Sequence, residues 1–406
     1  VKILYISYDG MTDQLGQSQV LPYLSKLSDT TTQIFLMSFE KKEKFEAQRK
    51  KIEEIISKAG IIWLPLTYTK KPPVLSTLWD LMQMQRAAFR LHREQRFDIV
   101  HCRSYIASLI GLKMKQKFGI RFIFDMRGFY ADERVDGGLW NLKNPLYKAI
   151  YQYFKRQEIK FLQQADYTIT LTYAAREIIH QCKIAAQPIP IEMIPCCVDL
   201  ELFDPEKINS DKKEKILAEC NLTGNEFIVS YIGSLGTWYM LDEMLRFFKR
   251  LLLKKSEAVF LIVTQDDSNL VLNLAERLGI PKNKFRFKKA AREEVPACIA
   301  VSNASLFFIQ PVFSKKASSP TKQGEIMAMG VPIVCNNSVG DTDKVIHQYH
   351  AGWVTESFTD EEFDKVIASM ETPLHKKRII QGAKEFYSLE QGVQRYRNVY
   401  SKVMAK

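Results

Sequence analysis

SSPTKQGEIMAMGVPIV, residues 318–334, holds the junction on which the fold turns. Ser319 is the expected N-cap of a short helix, and Pro320 suits its first turn. Gly330 and then Pro332 stop it before Ile333 and Val334 restart as a buried strand. Lys322 and Glu325 stand three residues apart, on one side of that helix. What they do there depends on where the helix begins in the fold.

Outward from this junction, short apolar runs alternate with helical stretches. The first half holds KILYISYD (2–9), QIFLMSF (33–39), IIWLPLTY (61–68), DIVHCR (98–103), RFIFDMR (121–127), YTITLT (167–172) and IEMIPC (191–196). The second half holds FIVSYIG (227–233), AVFLIVT (258–264), KFRFKK (284–289), SLFFIQ (305–310) and VPIVCN (331–336). Most are continuous β-branched or aromatic runs, the pattern of parallel strands covered on both faces. Strand then helix, repeated, predicts an α/β chain of doubly wound parallel sheets. The pattern breaks once, in IPCCVDLELFDPEKINSDKKEK, where proline, acid and lysine replace apolar periodicity. The division is therefore placed between a domain 1–203 and a domain 204–385. Two such Rossmann-like domains side by side form a central cleft, with ligands at the carboxyl ends of the strands.

At 406 residues the chain is too long for one core, and 46% hydrophobic with 26% charged residues make it globular. No apolar run approaches the roughly 20 residues that a spanning helix needs, and no charged, apolar leader is recognisable. Seven cysteines lack a CxxC pair or a histidine cluster, which points to a reducing compartment and against zinc. Cys196 and Cys197 read most simply as small buried residues at a strand end. The net charge of +12 is spread over both halves and calls for an anionic partner. On the helix predicted over 77–95, Arg86, Arg90 and Arg93 share a face. That stripe is either a solvated face or an attachment to an anionic bilayer, at about 1 kcal/mol per basic residue.

Four places at strand ends carry candidate chemistry. In DGMTDQLGQSQVLPYL, Gly16 allows a close backbone approach, and the amides of Gln17 and Ser18 are expected to point from a helix N-terminus toward a hydroxyl or anion. The loop is not GxGxxG, and no acid stands convincingly at the end of the second strand to hold a ribose, so a dinucleotide fold is disfavoured. A plain helix cap explains the segment equally. His101, Arg103, Asp125 and Arg127 end two neighbouring strands and are expected to face the cleft. Gly233, Ser234 and Gly236 of GSLGTW end another strand and offer backbone to a phosphate. The fourth place is the opening stretch. There the helix N-terminus at Pro320 and Thr321, with its unpaired amides and positive dipole end, and Lys322 suit a diphosphate, while Glu325 one turn on suits a sugar diol. That combination describes a nucleotide sugar. The competing explanation is an intrahelical Lys322–Glu325 ion pair, stabilising by about 0.2 to 0.5 kcal/mol.

With those residues in place, the chain resembles the retaining glycosyltransferases of family four, of GT-B fold, along nearly its whole length. IPCCVDLELFDP resembles the family's interdomain segment, SPTKQGEIMAMGVPIV its donor helix, and YSLEQGVQRYRNVYSKV its closing helix, which crosses back to the first domain from about 386 to 406. The resemblance implies that Glu325 holds the nucleotide ribose and that Lys322 with the helix amides meets the diphosphate. It implies that Gly16 lies against donor phosphate and acceptor. FDMRGFYADE resembles the stretch where many members place a histidine over the donor sugar; the aligned residue here is Arg127. Three departures stand out. The first glutamate of the family's pair falls at Ala317, the usual arginine and lysine are replaced within GSLGTWYML, and the next glycine turn reads TQDDSN.

The expected function is transfer of a sugar from a nucleoside diphosphate donor to a hydroxyl of a saccharide acceptor, with configuration retained. Domain closure would exclude water, and no metal or other cofactor is needed. Asp125, Arg127 and His101 are the catalytic candidates. Arg103, with Tyr130, Asp132 and Glu133 of the insertion 128–156, is assigned to the acceptor, although that insertion also reads as a packed helical lid. Basic faces and the aromatic insertion fit a lipid-linked saccharide at the inner face of the cell membrane, a cytoplasmic and peripheral location, in cell-surface polysaccharide assembly. A GT-B sugar-nucleotide epimerase is the alternative enzyme. A basic nucleic-acid-binding protein is disfavoured, because no recognition helix, stacking motif or zinc spacing is present.

Overall fold

The computed structural model describes residues 1–72, 74–185 and 188–405. The chain divides into two compact units, Val1–Pro195 with the C-terminal segment from Leu389, and Cys196–Ser388. The first division falls a few residues before the one read from composition. Val198 donates its N–H to the Tyr387 carbonyl at 2.7 Å, which ties the Cys196–Phe203 stretch to the second unit.

The first unit is built on seven parallel strands: β1 (Lys2–Ser7), β2 (Gln33–Glu40), β3 (Ile62–Thr67), β4 (Ile99–Arg103), β5 (Arg121–Asp125), β6 (Tyr167–Thr170) and β7 (Ile191–Met193). Their spatial order is β3-β2-β1-β4-β5-β6-β7. Pro65 lies within β3 and is tolerated because β3 is an edge strand, where a missing N–H breaks no central ladder. The closing helix Leu389–Met404 returns to this unit and buries Leu389, Val393, Tyr396, Val399, Tyr400 and Val403 along one stripe. Each such apolar side chain contributes about 1.5 to 3 kcal/mol.

The second unit repeats the plan with β8 (Ile228–Ile232), β9 (Val259–Val263), β10 (Phe285–Lys288), β11 (Ala304–Leu306), β12 (Ile333–Asn336) and β13 (Gly352–Thr355), ordered β10-β9-β8-β11-β12-β13. The central strands are fully buried, as continuous runs such as VFLIV require. Strand β13 was not expected from sequence: GWVT opens on glycine and is only half-buried, so it leaves no continuous apolar run. SLFFIQ contributes less strand than its composition promised, since β11 ends at Leu306.

Both sheets reverse their winding direction once, between β1 and β4 in the first unit and between β8 and β11 in the second. In an open parallel sheet that reversal parts the crossover helices and leaves a crevice at the carboxyl edge. The loops after β8 and β11 both leave from the second unit's crevice. The helix of residues 318–334 is reached through the second of them.

Candidate functional site

That helix spans Thr321–Ala328, and its N-cap is Pro320 instead of Ser319. Ser319 is employed elsewhere: its Oγ accepts the Cys196 N–H at 3.1 Å. The Gln323 N–H donates to the Pro320 carbonyl at 3.0 Å, and with no side-chain cap the Thr321 and Lys322 amides keep their demand for an acceptor. Glycine at 330, with φ of +72°, ends the helix as read.

Lys322, on the first turn, is only 8% exposed. Its ammonium has no hydrogen-bond partner among the described residues. It sits 4.1 Å from the ring centre of Tyr231 and 3.7 Å from that of Tyr239, held by cation–π attraction. The side chain reaches the loop after β8, where Gly233 has a φ of +123° and a Cβ would lie 3.0 Å from the ammonium nitrogen. Glycine is needed there for both the backbone angle and the space. Burial lowers the Lys322 pKa to about 7, against the opposing pull of Glu325. Gly233 donates to the Val263 carbonyl at 2.9 Å, and the Tyr231 hydroxyl donates to the Ser234 carbonyl, which folds the Gly233–Gly236 loop over the end of β8.

Glu325, 4% exposed, does not pair with Lys322. Its partner is Arg292, whose guanidinium nitrogen lies 2.6 Å from one carboxylate oxygen and whose plane covers the Phe203 ring at 4.7 Å. Arg292 follows β10 and so reaches the same carboxyl edge. It was not recognised in the sequence, although the strand-end rule that selected Gly233 selects it too. The result is a buried cation without a counter-ion beside a carboxylate neutralised from outside the helix. An anion satisfies the first, and the second keeps free acceptor capacity for hydroxyls.

The first unit departs more from expectation. Gly16 lies inside the helix Gln14–Gln19, where a Cβ would meet the Gly10 carbonyl oxygen at 2.2 Å. The loop's own packing is enough to require glycine there. The Gln17 N–H is spent on the Asp13 carbonyl at 3.1 Å, so it does not project from the helix end. An acid does stand at the end of β2, contrary to the sequence reading. Glu40 accepts the N–H groups of Met11 and Thr12 and the hydroxyls of Thr12 and Ser38, at 2.6 to 3.1 Å. It fastens the loop, and no lone pair is left over for a ribose.

His101 and Asp125, expected to face a cleft, are 0% exposed. They are sealed beneath the closing helix: the Tyr396 hydroxyl donates to Asp125 at 3.1 Å, and the Tyr400 hydroxyl meets His101 Nδ1 at 2.8 Å. His101 Nε2 lies 3.5 Å from the same Asp125 oxygen. Burial lowers the His101 pKa and outweighs the attraction of Asp125. Burial would raise Asp125, but Arg127 and His101 hold its carboxyl below the usual range. Both side chains therefore pack against the tyrosines of the closing helix instead of lining an open surface. Arg103 is likewise buried, with its Nε 3.3 Å from Asp9, and is no surface contact for an acceptor.

Arg127, whose side chain is only 9% exposed, lies 3.9 Å from Asp125, with a φ of +59° that few non-glycine residues adopt. In the insertion, helices Tyr130–Asp136 and Pro145–Gln164 form the packed alternative. Asp132 is buried and bound by Lys155 at 2.8 Å and Tyr151 at 2.9 Å, which takes it out of the acceptor set. Tyr130 and Glu133 stay half-buried, Tyr130 stacked on Tyr105 and covered by Arg134.

Known proteins carry the same two-part plan. Residues 34–202 match the Glycosyltransferase Family 4 description, and residues 212–386 match Glycosyl transferases group 1. The D-inositol 3-phosphate glycosyltransferase of Segniliparus rotundus is 23% identical over 69% of this chain and 59% of its own length. The UDP-Gal:alpha-D-GlcNAc-diphosphoundecaprenol alpha-1,3-galactosyltransferase of Escherichia coli is 24% identical over 64% of this chain and 63% of its own. The chain thus spans about three fifths of the length of these curated relatives. Anabaena HepE, solved in complex with UDP and glucose, shares the fold at a TM-score of 0.70 and 14% identity, covering 98% of this chain and 99% of that one. Matched in both halves, and with two parallel-sheet units of the GT-B fold, the chain belongs to the group 1 glycosyltransferases of family 4.

Proposed function

We propose that the protein transfers a sugar from a nucleoside diphosphate-sugar to a hydroxyl of a saccharide acceptor, with anomeric configuration retained. The observation that carries this is Lys322: a buried ammonium with no counter-ion, on the first turn of an uncapped helix, at the winding reversal of the second sheet. A diphosphate meets all three demands at once, and Glu325 with Arg292 then lies one turn further, where the ribose follows.

The chemistry needs charge stabilisation of a departing diphosphate, which the helix amides and Lys322 supply without giving up a proton. The leaving phosphate oxygen takes the acceptor proton on the face it vacates, so no side chain is assigned as general base. Asp125 and His101, both fully buried, are the second choices for that role. Neutralisation falls to Lys322 and backbone, and the reading calls for no metal or other cofactor. Arg127, mostly buried beside Asp125, is the first unit's candidate for the donor sugar.

For the acceptor we favour a lipid-linked saccharide at the inner face of the cell membrane, in cell-surface polysaccharide assembly. The diphosphoundecaprenol acceptor in the name of the Escherichia coli relative supports this. The test is incubation of the protein with nucleotide-sugars and a short-chain lipid-diphosphate saccharide. The expected product carries the donor's anomeric configuration, with nucleoside diphosphate released in equal amount. An isomerised nucleotide-sugar formed without acceptor would replace this reading with epimerisation.

A further inference from the structure

The helix Leu75–Gln95 has an inner and an outer face of opposite character. Ser76, Asp80, Met84, Ala88 and His92, spaced four apart, are buried along one stripe. Asp80 fixes it to the sheet by accepting the Tyr8 hydroxyl at 2.8 Å. A turn of 100° per residue places Leu75, Leu78, Trp79, Met82, Arg86, Arg90 and Arg93 together on the opposite side. The four apolar residues are 64%, 51%, 49% and 46% exposed, in that order. The three arginines are exposed too, and none has an ion-pair partner among the described residues.

An ordinary solvated helix in the same unit looks different. On Lys42–Lys58, Arg49 pairs with Glu53 and Lys58 with Glu54. The outer arc carries no acid between Leu75 and Arg93, exposed Glu94 at the helix end stands beside it without an ion pair among the described residues, and exposed Lys70 and Lys71 precede it. Its apolar end follows β3 and therefore opens at the carboxyl edge of the sheet. The loop after Tyr130–Asp136, which follows β5 at that same edge, exposes Leu139 and Leu142, and the first turn of the helix Pro145–Gln164 exposes Leu146.

We propose that the outer face of Leu75–Gln95 docks the first unit on an anionic lipid bilayer, the helix lying flat with Leu75, Leu78, Trp79 and Met82 in the headgroup and acyl boundary and Arg86, Arg90 and Arg93 on lipid phosphates. Tryptophan prefers that depth, and arginine pairs with phosphate in a fixed fork. No helix among the described residues is long and apolar enough to cross a membrane, so attachment is lateral. A protein partner would need an apolar surface that ends in a row of carboxylates; a bilayer offers its two layers everywhere. The proposal rests on the lipid-linked acceptor of the preceding section only for its purpose, since vesicle binding is measured without donor or acceptor.

The experiment is flotation with phosphatidylcholine vesicles, with and without phosphatidylglycerol, of the full chain and two variants. One carries Arg86→Gln, Arg90→Gln and Arg93→Gln; the other carries Leu78→Ser, Trp79→Ser and Met82→Ser. The unaltered protein is expected to favour the anionic vesicles by roughly tenfold or more. The arginine variant loses that preference, and the apolar variant loses binding to both vesicle types. The arginine variant keeps the unaltered melting temperature, the apolar variant melts lower because its three side chains are only half exposed, and both keep the circular dichroism and nucleoside diphosphate affinity of the unaltered protein. Equal flotation of all three proteins would overturn the proposal, as would failure of the unaltered protein to float. Concentration-dependent self-association abolished by the serine substitutions would make the face a protein interface and overturn it as well. Loss of nucleoside diphosphate affinity with intact flotation would strike the donor reading alone.

Discussion

Lys322 concentrates the physics of the donor unit in one residue. Its ammonium gives up water for two aromatic rings, and burial holds its pKa at about 7, far below the ordinary lysine value. The unfolded chain binds that proton up to about pH 10, so between pH 7 and 10 the unfolded state holds more protons and stability rises with pH. The slope from this one group is at most about 1.4 kcal/mol per unit. Lys322→Met is expected to flatten the unliganded protein's stability curve over that interval and to stabilise it most below pH 7, measured by urea unfolding. Parallel curves for the two proteins would show that the ammonium is solvated. Glu325 and Arg292 make a separate prediction. A nucleoside diphosphate should bind better than its 2′-deoxy counterpart; Glu325→Gln should erase the difference, and Arg292→Ala should narrow it by releasing the carboxylate from its fixed position. A preference that survives in both variants would place the ribose elsewhere. The spacing of Lys322 and Glu325 was legible because helix neighbours recur at three and four residues. Arg292 was not, because it arrives from another strand. Tyr231 reads in sequence as an ordinary core aromatic.

At the scale of elements, the closing helix shows why strand-end polar residues mislead. His101 and Asp125 end their strands as catalytic groups often do, yet tyrosines almost three hundred residues later in the chain cover them. No local pattern announces that. Tyr396→Phe removes one donor from a buried carboxylate and is expected to cost about 1 to 3 kcal/mol in urea unfolding, with nucleoside diphosphate affinity unchanged. An unchanged stability would mean that the Tyr396 bond is dispensable to Asp125. The helix Leu75–Gln95 shows the opposite limit. Its arginine stripe was plain from sequence, but Leu75, Leu78, Trp79 and Met82 carry the spacing of a buried face. Only the inner stripe of Ser76, Asp80 and Met84 shows that they point out.

For the whole molecule, both sheets were readable because central parallel strands must be apolar throughout. Runs such as FLIV admit few alternatives, whereas β13, at an edge and half-buried, escaped. The repeated strand order explains why the phosphate-suited elements gather where they do. Whatever the sequence between strands, the loops after β8 and β11 part at the reversal, and each brings one piece, Gly233 and Lys322, to the same point. The fold therefore sets the location, and the substitutions around it set the means. With Ala317 at the place of the family's first glutamate and the usual arginine and lysine replaced within GSLGTWYML, we propose that one buried lysine carries the charge those departures remove. Calorimetric titration of nucleoside diphosphates into the unaltered protein and Lys322→Met measures this most directly. We predict that one nucleoside diphosphate binds the unaltered protein with uptake of a proton at pH 8, and that Lys322→Met binds it at least tenfold more weakly with no uptake, as loss of a charge-assisted bond of about 1.5 to 3 kcal/mol requires. Equal affinity and equal proton uptake in the two proteins would contradict the account.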